Sequence, residues 1–130
     1  MIVNLEPGIE NEVSREVTED DIATSFGSEH MPVLATSKIV AFMEYVALTS
    51  VMDKLPEGYS TVGSEIKLRH IKPVLKGTEL TCVSRLTKVD GRKLYFEITL
   101  RNVCEEIANA CHMRTIINDE VFLRLLGGEI

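Results

Sequence analysis

No stretch of this sequence approaches the roughly 20 apolar residues that a membrane-spanning helix needs, so no spanning helix is expected. Met1 to Gly8 carries no basic region followed by an apolar run, and no signal peptide is expected either. Low-complexity segments, internal repeats and linker-like stretches are missing, which points to one domain over residues 1–130. Positive charge is in deficit: 14 Lys and Arg stand against 20 Asp and Glu, for a net charge of -6. Non-specific nucleic-acid binding needs a basic footprint and is argued against on that ground. A small anionic ligand is not, because a local basic patch can sit on an acidic chain. Cysteine is scarce: Cys82, Cys104 and Cys111 form no CxxC pattern. They offer no metal-like spacing, and neither do His30, His70 and His112, so no metal is expected. Three reduced and mostly buried thiols are expected instead, which suits a cytoplasmic setting.

What is present is patterned. Asn11 to Val17 reads as an edge-like strand. Thr18 followed by Glu19, Asp20 and Asp21 reads as a helix start, a hydroxyl cap with acids in the first turn, and that short helix should end near Phe26-Gly27. A loop follows from Ser28 to Pro32. The one long helix is predicted from Thr36 to Lys54, free of Gly and Pro inside and stopped by Leu55-Pro56-Glu57-Gly58. Its apolar stripe contains Ile39, Val40, Met43, Val46, Ala47, Ser50 and Val51, the spacing of a helix laid on a sheet. After Gly58 the period changes to two. Val62, Ser64, Ile66, Leu68 and His70 should share one strand face, with Gly63, Glu65, Lys67 and Arg69 on the other. Further strands are predicted over Thr78–Val89, Lys93–Val103 and Glu106–Ile117, the first two joined at Asp90-Gly91, a strong hairpin signal. Asp119 to Leu126 reads as a short terminal helix. One long helix covers one face of a curved antiparallel sheet, which makes an α+β domain.

Three residues on this frame carry chemistry. Glu44 lies about 40° around the helix from Val40, inside or beside the apolar stripe. A carboxylate there is costly unless something pairs with it. Thr36 lies two turns upstream, at the helix start. His70 sits at the end of a strand on its apolar face. A hydroxyl, a carboxylate and an imidazole therefore have the means to converge. Each also has a plain structural reading: Thr36 as a helix cap, with Ser37 equally able to cap, Glu44 as a flank residue reaching water, and His70 as a structural histidine.

Val33-Leu34-Ala35-Thr36, Glu44, Leu55-Pro56-Glu57-Gly58, Val62-Gly63, His70, the Val89-Asp90-Gly91-Arg92-Lys93-Leu94 hairpin and His112-Met113-Arg114 together resemble the fluoroacetyl-CoA thioesterase family of hot-dog proteins. The likeness runs from about Glu16 to Asn118, with eight residues from Thr36 to Glu44 and twenty-six from Glu44 to His70. It implies a hot-dog fold, in which the sheet wraps a central helix, and hydrolysis of an acyl-CoA. It implies Thr36, Glu44 and His70 as the catalytic set, Gly63 beside the thioester, and Arg114 near the site. One departure matters. The positions matching the family's bulky aromatic lid are Gly27 and His30, so fluoroacetyl specificity does not carry over, although His30 remains a candidate for touching substrate.

Coenzyme A brings phosphates, and the densest basic set is Arg69, Lys72, Lys76, Arg92 and Lys93, at strand ends and hairpin positions that could meet between protomers. A solvated face is the competing reading of that set. Coenzyme A enters as part of the substrate and no other cofactor is implied. The uncovered sheet edge calls for a second copy, as a homodimer or a tetramer. The competing function is a non-catalytic acyl-CoA binding or sensing protein on the same fold.

Overall fold

A computed structural model describes residues 4–27 and 30–127. Strand β1 (Glu10–Glu16) leads into two short 3-10 turns (Glu19–Asp21 and Ala23–Phe26), then helix α1 (Thr36–Met52). Strands β2 (Tyr59–His70), β3 (Glu79–Asp90), β4 (Lys93–Arg101) and β5 (Glu106–Asn118) follow, and helix α2 (Asp119–Leu125) comes last. The five strands form one antiparallel sheet in the order β1-β3-β4-β5-β2, with α1 packed across one face. This is the α+β hot-dog arrangement that the element order predicts.

The core lies between α1 and the inner face of the sheet. Ile39, Phe42, Met43, Val46, Ala47, Ser50 and Val51 are the buried helix positions. The stripe is therefore turned slightly from the predicted one: Phe42 is inside, whereas Val40 and Glu44 are half-buried along its edge. Opposite stand Leu80, Cys82, Ser84 and Leu86 of β3 and Leu94, Phe96, Ile98 and Leu100 of β4, each alternating with more exposed neighbours. Asp90 pairs with Lys93 across a two-residue turn that begins with Gly91 at φ 61°, a conformation that favours glycine.

Three expectations need correction. The short helix predicted from Thr18 to Phe26 is two 3-10 turns, because Ile22 between them is extended and bridges to Leu34. The start signal itself holds, in that the Asp21 carboxylate accepts from the Thr18 N–H (2.8 Å) and hydroxyl (3.1 Å). Of the loop predicted over Ser28 to Pro32, residues 28 and 29 lie outside the described residues. Only Cys82 is buried; Cys104 lies between β4 and β5, and Cys111 points outward between inward Ala110 and His112. Burial raises the Cys82 thiol to about 12.

The third correction concerns the faces of β2. Its pairing with β5 shifts between Gly63 and Glu65, leaving Ser64 as the extra residue of a bulge. Inward β5 residues Ala108, Ala110, His112, Arg114 and Ile116 face His70, Leu68, Ile66, Gly63 and Thr61 in turn. One inserted residue changes the parity of everything before it. Gly63 and Thr61 therefore share the inner face with His70, and the predicted partners Val62 and Ser64 do not. The Ser64 hydroxyl bonds Thr115 on the outer face.

Candidate active site

The inner face of the sheet and the edge of α1 hold two separate groups of polar side chains. The first lies at the bulge. Glu44 comes from the middle of α1, Gly63 from β2 and Arg114 from the β5 position directly opposite Gly63. Arg114 is a buried guanidinium. Its Nε donates to Thr61 Oγ1 at 2.8 Å, its Nη2 to the Thr61 carbonyl at 3.0 Å, and its Nη1 lies 3.2 Å from His112 Nε2. The same Nη1 stands 3.8 Å from Glu44 Oε2. Burial lowers the Arg114 pKa from its ordinary value, and the Glu44 charge opposite pushes it back up.

Gly63 is what lets this group assemble. A Cβ there would run into Glu44 Oε2 and would stand 3.4 Å from both Arg114 Nη1 and His112 Cε1. Of the two places expected for Glu44, inside the stripe or beside it, the structure gives the second. Its side chain keeps 41% exposure, because it sits on the stripe's flank with Arg114 to balance its charge. It is open to an incoming molecule and lies in front of the inward face of the sheet at Gly63 and Arg114.

The second group lies at the other end of β2. Thr36 is the first residue of α1, and the helix cap is Ala35, with no side-chain cap bond. The Thr36 hydroxyl goes to His70 Nδ1 instead, at 2.9 Å. His70 Nε2 is buried and has no hydrogen-bond partner among the described residues.

Within one chain the three predicted residues do not converge. Thr36 and Glu44 are eight residues apart, about 12 Å along the helix axis. His70 pairs with Ala108 and Gly63 with Arg114, six residues away on β5, or about 20 Å of strand. The structure brings Glu44 to Gly63 and Arg114, and Thr36 to His70, as two half-sites. His30 is exposed on the loop before α1 and takes part in no hydrogen bond or ion pair of either group.

The basic set also divides. Arg69 is exposed near the end of β2, and Lys72 pairs with Glu105 at 3.8 Å. Lys76 pairs with Glu19 at 3.2 Å. Arg92 and Lys93 occupy the β3–β4 turn, in register with Val62 through Thr115, seven residues from Arg69 or about 23 Å of strand. In one chain these side chains form no single patch. Thr61 and His112 were not singled out by sequence, yet they hold Arg114. The signal that finds them is the parity of β5: His112 and Arg114 alternate in step with Ala108, Ala110 and Ile116, so they face the core.

The chain matches the model of the fluoroacetyl-CoA-specific thioesterase (FlK) family over residues 17–120. The fluoroacetyl-CoA thioesterase of Streptantibioticus cattleyicolor is 27% identical over 95 residues, which is 73% of this chain and 68% of that protein. A solved structure of the fluoroacetyl-CoA thioesterase FlK superposes with a TM-score of 0.89 at 22% identity, covering 95% of this chain and 96% of that one. A Thermus thermophilus hypothetical protein, described as a thioesterase superfamily member, superposes at 0.86 with 25% identity over 97% and 96% of the two chains. The matched span runs from the end of β1 into α2 and takes in every residue of both half-sites, and the chain belongs to the fluoroacetyl-CoA-specific thioesterase family.

Proposed function

We propose that this thioester hydrolase acts on a small or medium acyl-CoA, releasing the free acid and coenzyme A, with Thr36, Glu44 and His70 as its catalytic set. The observation that carries the reading is the condition of His70. One ring nitrogen is held by the Thr36 hydroxyl at 2.9 Å, and the other is buried without a partner among the described residues. A ring fixed at one nitrogen and free at the other suits a group that carries a proton to and from a reacting atom.

In this reading the acyl carbon gains an oxygen and loses sulfur. Glu44 is the base that takes a proton from the attacking water, or the nucleophile whose acyl anhydride water then opens. His70 delivers a proton to the departing thiolate, and Thr36 holds its ring. A backbone N–H near Gly63 polarises the carbonyl, and Arg114 offsets the charge on Glu44. The protein supplies these groups itself, and coenzyme A arrives as part of the substrate, with no resident cofactor. By the resemblance Gly27 and His30 match the family's lid aromatics, so fluoroacetyl specificity is not carried over to this chain. Three free cysteines suit a cytoplasmic setting. No helix among the described residues is long and apolar enough to cross a membrane.

A homodimer unites the half-sites. Strand β2 is a twelve-residue edge strand of the sheet, with one side unpaired among the described residues. Antiparallel pairing of two β2 edges about a two-fold axis sets the His70 end of one copy beside the Gly63 end of the other. Thr36 and His70 of one copy then face Glu44, Gly63 and Arg114 of its mate. Arg69 and Lys72 approach the mate's Arg92 and Lys93, a two-sided grip suited to coenzyme A phosphates.

The test is hydrolysis of a panel of acyl-CoAs, from acetyl to long-chain and aromatic. Free coenzyme A is read by chromatography, because exposed Cys104 and Cys111 would consume thiol reagents. Glu44→Gln and His70→Ala should each slow turnover at least about 100-fold. Co-expressing the two variants should restore activity, since a mixed dimer regains one site with both groups intact. Near-wild-type rates in both single variants would remove the catalytic assignment, and failure of the mixture to recover would remove the shared site. Binding of a thioester without release of coenzyme A would favour a binding or sensing protein.

A further inference from the structure

His112 is a buried histidine with both ring nitrogens engaged, and nothing in the catalytic set uses it. Nδ1 lies 2.8 Å from the carbonyl oxygen of Glu65, at the bulge. Nε2 lies 3.2 Å from Arg114 Nη1. These two contacts fix the tautomer. A guanidinium has only N–H donors, so Nη1 donates to the Nε2 lone pair; the ring proton then sits on Nδ1 and is donated to Glu65 O. The ring can accept no second proton without turning an N–H toward the Arg114 N–H.

The consequence falls on Glu44. Arg114 Nη1 stands 3.8 Å from Glu44 Oε2, close enough to balance charge and beyond hydrogen-bond distance. Thr61 holds the Nε and Nη2 sides of the guanidinium, and His112 holds Nη1. With that acceptor removed, Nη1 is free to close on the carboxylate.

We propose that His112 is a positioning residue for the hydrolysis: as an acceptor locked by the bulge carbonyl, it keeps Arg114 from capturing the carboxylate of Glu44. The proposal rests on the reading of Glu44 as the reacting carboxylate. It makes the device sensitive to acid, because a protonated ring can no longer accept from Arg114. The groups facing the ring agree with a neutral state. Arg114 lies on its own strand, Glu44 reaches it from α1, and Phe96 of β4 packs against it at 6.2 Å between centroids. On the outer side of the sheet, Glu65, Lys88, Glu97 and Cys111 line a cleft that also borders His112. Burial is the main cause that lowers the His112 pKa from 6.5. Arg114 lowers it further, against the Glu65 carbonyl and Glu44, which raise it.

The experiment compares kcat and KM across pH for wild type, His112→Phe, His112→Gln and Glu44→Gln, on an acyl-CoA the wild type hydrolyses. Phe keeps the ring and loses the acceptor. It should lower kcat at least about tenfold with little change in KM, the rate equivalent of one hydrogen bond to a charged group. Gln restores an acceptor that does not titrate. It should recover kcat to within about threefold at about pH 8 and hold more of it than wild type as the pH falls below 6.5. Should the Phe variant not fold, the Gln profile decides alone. Wild-type kcat in a folded Phe variant, or a Gln profile whose acid limb matches wild type, overturns the proposal. Loss of activity in Glu44→Gln beside an unaffected Phe variant fails this inference only, whereas full activity in Glu44→Gln removes the reading beneath it.

Discussion

Arg114 makes three hydrogen bonds inside the sheet, whereas His70 makes one at its end. The half-site at the bulge is crowded: Thr61, Gly63, His112, Arg114 and Glu44 restrain one another. The half-site at the helix start is sparse, a single contact between Thr36 and His70 with a buried nitrogen left over. A group that must be held at a set distance from a charge needs many neighbours. A group that must give and take a proton needs an open position. The difference follows from location, since the bulge places two inward residues of β2 against a buried arginine, and the end of β2 brings the His70 ring to the Thr36 hydroxyl in the first turn of α1.

The comparison can be broken first at its crowded end. Gly63→Ala should lower kcat by about 100-fold, the order of loss that a misplacement of about 1 Å brings. The atom its Cβ would meet is the tip of a flexible side chain, Glu44 Oε2, so the carboxylate swings aside and the fold stays. Melting temperature and kcat should therefore part company, and a fully active Gly63→Ala would mean that the placement of Glu44 is not restrictive. At the sparse end the effect should be smaller. Thr36→Val removes the one hydrogen-bond partner of the His70 ring among the described residues and should cost about tenfold in kcat, with Thr36→Ser recovering most of it. Equal rates for all three residues at position 36 would reduce Thr36 to a helix residue.

The smallest effect is on stability. The folded-state pKa of His112 lies below 6.5, so between that value and 6.5 the unfolded chain binds more protons than the folded one. Stability should rise with pH across that window and fall as pH drops through it. The urea midpoint of the wild type should show this slope, and His112→Gln should flatten it; identical slopes would place the ring in no strained protonation balance.

Much of the fold was legible because local signals agreed. A run without Gly or Pro gave α1 to within two residues of its end, and period-two alternation with Asp90-Gly91 gave the sheet. Glu44 stands out by its place on the helix stripe and Gly63 and Arg114 by the resemblance, and the three stand together. What was hidden depended on non-local accommodation. Nothing in Val62-Gly63-Ser64 announces that Ser64 is the residue left out of register, because a bulge is set by the partner strand. The break at Ile22 follows from its bridge to Leu34, which no propensity reveals. Cys104 and Cys111 defeat the usual tendency of cysteine to be buried, one by its place in a turn and one by parity. The gap between the half-sites escaped notice because sequence spacing says how far residues lie along a chain, and not on which side of a two-fold axis they meet.

The bulge at Ser64 makes this site a matter of counting as well as of composition. Were Ser64 instead to take a regular place in the ladder, with Ile66, Leu68 and His70 still inside, every residue before it would change face. Thr61 and Gly63 would then turn outward together, taking both hydroxyl and carbonyl supports away from Arg114 and returning a side chain to the place beside Glu44 that glycine leaves clear. A bulged and a regular ladder of the same sequence would thus share a fold, hydropathy and every named catalytic residue, and differ in whether the centre can work.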